Sequence, residues 1–80
     1  MQGLPRELED AFYSGNRSEN CPLCVNDLAQ VVSGESAGVI GSVVCPVEAE
    51  PVLTFLLETE EGADFVVESS NLQLCRKATE

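Results

Sequence analysis

The last third of the chain most constrains the fold, because apolar segments alternate there with short polar turns. Residues 52–58 are apolar at nearly every position, which predicts a strand covered on both faces. Residues 63–68 and 72–76 alternate between apolar and polar side chains, as strands with one covered face do. The connecting residues 60–62 and 69–71 suit short hairpin turns. The sequence therefore predicts an antiparallel three-stranded meander here.

The first part of the chain predicts a helix followed by a hairpin. Apolar residues recur at helical spacing across residues 5–14, and a glycine follows that can end the helix. Residues 23–25 and 28–32 are interpreted as two strands joined by a tight turn at Asn26-Asp27. A helix from this turn to residue 32 is an alternative, because Asn and Asp also cap helices well.

Residues 35–45 predict a second short helix. Ala37, Ile40 and Val44 lie at helical spacing, although the valines of this segment would also accept a strand. Its two glycines each cost about 1 kcal/mol relative to alanine in a helix, but small residues would let the helix lie close to a neighbour. Pro46 is expected to end it.

Together these elements predict a single α+β domain over residues 1–80. Its order is α-β-β-α-β-β-β, and a five-stranded antiparallel sheet carries helices packed on one face. A core of this size supplies roughly 3 to 5 kcal/mol, so small domains commonly lean on a metal, a disulfide or a partner.

The charge of the chain restricts its partners. Fourteen acidic residues oppose four basic ones, for a net charge of −10. An anionic phosphate backbone or lipid surface would repel such a chain, so the sequence predicts no nucleic-acid binding and no direct membrane insertion. The first ten residues lack a basic start and an apolar run, which predicts a cytoplasmic protein with reduced cysteines.

Cys21-Pro22-Leu23-Cys24 is the sharpest local motif. A redox site of this kind needs a preceding strand and a helix start, whereas a polar loop precedes it here. Zinc would require a second pair of ligands from Cys45 and Cys75, in a chain without histidine. The sequence therefore predicts no metal and no cofactor. A small redox or zinc-binding module that uses Cys21 and Cys24 remains the alternative.

No enzyme is predicted, because the sequence contains neither histidine, nor a glycine-rich phosphate loop, nor a nucleophile motif. The apolar strand at residues 52–57 instead predicts a protein interface, since an exposed strand edge pairs readily with another chain. Residues of this strand and of the second helix form the predicted partner interface: Ala37, Ile40, Val44, Val52, Leu53, Thr54, Phe55, Leu56 and Leu57.

Four short segments of the chain match the pattern of a known family: Leu8-Glu9-Asp10, residues 35–40, residues 51–62 and the basic pair Arg76-Lys77. In these segments the chain resembles the roadblock/LC7 domain family. The family fold has the predicted order of helix, hairpin, helix and three-stranded meander. The resemblance thus implies a roadblock/LC7-like sheet with the second helix and the strand after it at a dimer interface.

The resemblance also implies a function. A roadblock/LC7 protein of this kind is a non-catalytic scaffold that pairs with another roadblock-type protein or with itself. Residues 52–57 would lie against the equivalent strand of the partner. Such a pair would belong to a Ragulator-like complex that holds small GTPases at the lysosomal surface for nutrient signalling to mTOR.

Overall fold

The computed structural model describes residues 4–78, which form one α-helix and a five-stranded antiparallel sheet. The α+β class and the five-stranded antiparallel sheet are thus confirmed. The elements are α1 Arg6–Ser14, β1 Leu28–Val31, β2 Ile40–Glu48, β3 Thr54–Glu58, β4 Asp64–Glu68, a 3₁₀ turn Ser69–Asn71, and β5 Leu72–Arg76.

The sheet order is β4-β3-β2-β1-β5. Strands β1 to β4 follow one another as antiparallel neighbours, but β5 pairs with β1 and not with β4. The predicted turn at residues 69–71 is instead a 3₁₀ turn, and Asn71 at its end accepts a 2.8 Å hydrogen bond from the Val32 amide. The predicted three-stranded meander was therefore right for β3 and β4 and wrong for the pairing of β5.

Helix α1 forms where its apolar spacing predicted it. Leu8 and Phe12 lie four residues apart on one face and are both buried. The Phe12 ring stacks on Phe55 of β3 at a centroid distance of 5.8 Å, which holds the helix on the inner face of the sheet. Gly15 ends the helix at a φ of 78°, a left-handed conformation that glycine adopts at little cost.

The predicted second helix at residues 35–45 is wrong. Gly38, at a φ of 101°, lies in the loop between β1 and β2, and the valines that follow form β2. A side chain at Gly41 would come within 2.8 Å of the Glu58 carbonyl oxygen, so the close approach foreseen for a helix occurs between strands. Pro46 does not end the segment, because it lies in β2 beside a register shift, where its missing N–H is tolerated.

The first half of the predicted hairpin is also wrong, and so is the alternative helix. Residues 23–25 pair with no strand, because their backbone bonds elsewhere: the Val25 amide donates to the Phe12 carbonyl at 3.2 Å. The predicted turn exists, with Asn26 at a φ of 67°, and β1 begins directly after it at Leu28.

The core lies between α1, residues 21–24 and the inner face of the sheet. Its fully enclosed side chains include Phe12, Val31, Val43, Phe55 and Leu57. Among the described residues, no helix is long and apolar enough to cross a membrane.

Candidate functional site

Strand β3 does not offer the edge that the sequence predicted. It pairs with β2 on one side and with β4 on the other, so its backbone hydrogen bonds are used within the sheet. Phe55 and Leu57 are fully buried in the core. Residues 52–57 therefore do not form the free strand edge that the sequence predicted, and that edge position is corrected.

The other predicted interface residues are scattered. Ala37 lies exposed in the loop between β1 and β2, and Ile40 begins β2 with 48% of its side chain exposed. Thr54 is buried, and its hydroxyl oxygen accepts a 3.1 Å hydrogen bond from the Glu48 amide. The remaining positions are half-buried or exposed: Val44, Val52, Leu53 and Leu56.

The open edge near these residues belongs to β4, at the end of the sheet. Beyond the two ends of the β3–β4 ladder, the Ser69 amide donates to Leu53 and the Ala63 carbonyl accepts from Thr59. Since antiparallel bonding alternates, the backbone groups of the even-numbered residues Asp64, Val66 and Glu68 point away from β3. No strand of residues 4–78 pairs with this side of β4.

An apolar surface adjoins this edge on the outer face of the sheet, opposite the core. Val66 is 60% exposed and lies directly opposite Leu56, which in turn lies opposite Cys45. Val44 is the extra residue of the bulge beside Cys45 and is also exposed. We call these four residues, Val44, Cys45, Leu56 and Val66, the outer patch. It places an apolar surface next to unpaired backbone.

An open groove of about 290 Å³ runs along the same edge. One wall is residues 66–68 of β4, and the other is residues 33–36 of the loop between β1 and β2. The loop is fixed there because the Ser33 hydroxyl donates to the Asn71 side-chain oxygen at 2.7 Å. Glu35 and Glu68 are the charged residues among those that line this edge groove.

The two cysteines of the predicted motif lie in the core beneath α1, with 1% and 2% of Cys21 and Cys24 exposed. Burial, together with the neighbouring Cys24, raises the pKa of the Cys21 thiol to about 11. Burial also raises the pKa of Cys24, because the effect of Arg17 does not offset it. Such thiols stay protonated, whereas redox and metal chemistry need the thiolate.

Beside these cysteines lies an ion pair that the sequence analysis missed. The Arg17 guanidinium donates to both carboxylate oxygens of Asp27, at 2.5 and 3.3 Å, and Asp27 is fully buried. The amides of Cys24 and Ala78 donate to the same carboxylate at 2.8 and 3.1 Å. The available signal was a lone aspartate within an apolar stretch, in a chain with few basic residues.

Asp27 is held in its charged form by these contacts. Burial acts to raise its pKa, but the hydrogen bonds from Arg17 and from the two amides lower it overall. Because the carboxylate joins the loop after α1, the start of β1 and Ala78 after β5, its role in this geometry is structural. It faces none of the described cavities.

A comparison of the sequence with protein-family models and with curated proteins gives no match. Within residues 4–78, no three side chains of His, Cys, Asp or Glu are grouped so that they could hold a metal.

Two larger open cavities lie elsewhere. One, of about 490 Å³, separates α1 from residues 18–21 and is lined by Leu8, Ala11 and Leu53. The other, of about 730 Å³, lies between the start of β2 and the turn after β3. The first contains no residue of β4 or β5, and the second reaches these edge strands only at Phe65 and Arg76. The edge groove is lined by three consecutive residues of β4, so it is the described cavity that best fits a second polypeptide paired with that strand.

Proposed function

We propose that this protein is a non-catalytic binding module that captures an extended segment of another protein by adding it to the free edge of β4. The observation that carries the proposal is the coincidence of three features at one place. The β4 backbone is unpaired, Val66 of the outer patch is 60% exposed, and a groove runs along the strand. Strand addition uses backbone bonds for affinity and side-chain positions for specificity.

The non-catalytic part of the proposal rests on the chemistry of the side chains. The buried thiols are held protonated, which removes the nucleophile that the Cys21–Cys24 motif would supply. The buried carboxylate of Asp27 is neutralised by Arg17 and does not line the edge groove. This arrangement favours a binding role over the redox or zinc alternative.

The narrower assignment, a roadblock/LC7 subunit that holds small GTPases at the lysosomal surface, stays a prediction from the sequence resemblance. The α+β class with a five-stranded antiparallel sheet is compatible with it. The second helix and the edge position of residues 52–57, on which its dimer interface depends, are replaced by β2 and a central β3.

The proposal can be tested by selecting displayed random nine-residue peptides for binding to the full chain. Binders should be re-tested on Val66→Pro, which removes an N–H that points out of the sheet and leaves the β3–β4 bonds intact. We expect affinity to fall at least about tenfold, as loss of an edge hydrogen bond and steric blocking predict. Val66→Thr keeps the N–H and should retain binding.

Two results would contradict the proposed binding at the β4 edge. If selected peptides bind wild type and Val66→Pro equally well, or if they protect amides of α1 and leave those of β4 unchanged, the β4 edge is not the binding site.

A further inference from the structure

We infer that the segment received by β4 is basic at its two ends and apolar at its centre. The inference rests on the proposed function and adds to it the chemistry of the partner. It follows from the side chains that β4 presents on its outer face and from the charge around the edge groove.

On the outer face of β4, one valine lies between two acidic residues. Asp64, Val66 and Glu68 alternate with inward-facing residues and are all exposed. A paired strand places one side chain directly opposite each of them, with Cβ atoms about 4.5 to 5.5 Å apart. Lysine or arginine is therefore favoured opposite Asp64 and Glu68, and an apolar residue opposite Val66.

The inner face determines the residues between these positions. Phe65 is half-buried and Val67 is 8% exposed, and both belong to or pack on the core. Side chains of an added strand on this face would cover the open side of that core, where apolar residues are favoured. The complete pattern is five residues long: basic, apolar, apolar, apolar, basic.

The edge groove strengthens the charge argument from its other wall. Glu35 lies across the groove from residues 66–68, so a third carboxylate faces the space that the segment would occupy. Among the described residues that line this groove there is no lysine or arginine. A basic segment would therefore be attracted before it pairs, and this attraction weakens as salt is added.

A second copy of the chain fits this edge less well. If two β4 strands paired antiparallel about Val66, Asp64 of one copy would lie opposite Glu68 of the other, which is destabilising. The other free edge of the sheet belongs to β5, so pairing of β4 with β5 of a second copy is the alternative. Arg76 is the one basic residue of β5, and it would lie opposite only one of the two acids Asp64 and Glu68. The net charge of −10 adds repulsion between copies.

The test uses the full chain labelled with ¹⁵N and two synthetic peptides. One contains Lys-Val-Val-Val-Lys between flanking serines, and the other replaces both lysines with glutamate. We expect the basic peptide to protect the amides of Asp64, Val66 and Glu68 from exchange. At low salt its affinity should be at least about ten times that of the acidic peptide. Each cross-strand ion pair raises the affinity by up to about fivefold.

Charge reversal in the protein provides the matched control. The double variant Asp64→Lys with Glu68→Lys should prefer the acidic peptide. Glu60→Lys with Glu61→Lys makes the same change in net charge in the turn between β3 and β4, outside the strand that receives the peptide, and should keep the preference for the basic peptide.

Four results would overturn the inference, and they separate it from the proposed function. Equal protection of the β4 amides by both peptides would refute the basic partner but leave strand addition standing. Protection by neither peptide would refute both. A preference that survives reversal of Asp64 and Glu68 would assign the effect to net charge. A dimer that forms without peptide and is lost in Val66→Pro would identify a second copy as the occupant.

Discussion

Two regions of this small domain differ in how their polar groups are paired. Around Asp27, in what we call the closed region, a buried carboxylate is satisfied by a guanidinium and two amides, and the neighbouring thiols are packed under α1. Along β4, backbone groups stay unpaired and a valine is 60% exposed. A buried polar group without partners would cost stability, whereas an unpaired edge in solvent does not. The comparison assigns a stabilising role to the closed region and leaves the β4 edge available for the binding that we propose.

The largest expected effect is the difference in labelling rate between a cysteine of the closed region and an exposed cysteine. Cys75 is exposed on β5, whereas Cys21 is 1% exposed. The rise in the pKa of Cys21 from 9.0 to about 11 alone lowers its thiolate fraction about a hundredfold near neutral pH. Iodoacetamide labelling followed by mass spectrometry should therefore modify Cys75 far faster. Similar rates for the two cysteines in the native chain, or different rates in urea, would contradict this.

Removing the cation of the buried pair should have the next largest effect. Arg17→Leu leaves the Asp27 charge with its two amide partners alone. We expect a loss of about 3 kcal/mol in the free energy of unfolding, because breaking a buried ion pair by one partner is costly. Urea unfolding followed by circular dichroism measures it. Arg6→Leu is the control: Arg6 lies 4.0 Å from Asp10 with 92% of its side chain exposed, and no measurable change is expected.

If Arg17→Leu were as stable as Arg6→Leu, the ion pair would not stabilise the closed region. The two regions would then not differ in their contribution to the free energy of unfolding.

The sequence predicted those elements whose pattern has one period. Helix α1 and strands β4 and β5 fall within a residue of their predicted limits, because apolar spacing there fits a single structure. Residues 35–45 were misassigned because Ala37, Ile40 and Val44 satisfy helical spacing, while Gly41 and Val43 also fit a strand. The choice was settled by a tertiary contact, the close approach of Gly41 to the Glu58 backbone, which no local pattern contains.

The candidate site could not have been predicted by the same means. Whether a strand is central or at an edge depends on which strands pair, and β5 pairs with β1 across forty residues of chain. An apolar run such as residues 54–57 looks the same in both positions. The expectation of an exposed strand edge thus came from the sequence, but its position on β4 came from the topology.

Two neighbouring proline substitutions should sharpen the comparison at the β4 edge. Val67→Pro removes an N–H that bonds to β3 and disturbs a side chain that is 8% exposed, and we expect a loss of about 2 kcal/mol. Val66→Pro removes an N–H that points to solvent, so its unfolding free energy should change by less than about 0.5 kcal/mol. Thermal or urea unfolding measures both. Equal losses would mean that the backbone of Val66 is not free.

The smallest expected effect is the pH dependence of the stability that Asp27 gives to the closed region. The pKa of Asp27 is lowered in the folded chain from the ordinary value of 3.8. Its contribution to stability is therefore present above about pH 4 and is lost as the pH falls through the lowered value. In Arg17→Leu the main lowering contact is gone, so burial acts to raise the pKa and protonation relieves the unpaired charge. The stability gap between wild type and Arg17→Leu should be widest near pH 7 and narrow below about pH 4.

The difference between two variants is the useful quantity here, because the other acidic residues titrate in both proteins and largely cancel. Asp27→Asn removes the titrating carboxyl group. The difference in unfolding free energy between Asp27→Asn and the double variant Asp27→Asn with Arg17→Leu should therefore not narrow as the pH falls. Urea unfolding at intervals between pH 7 and pH 3 supplies the data. A gap that stays constant over this range would mean that Asp27 keeps its charge without Arg17, and that the amides of Cys24 and Ala78 suffice to hold it.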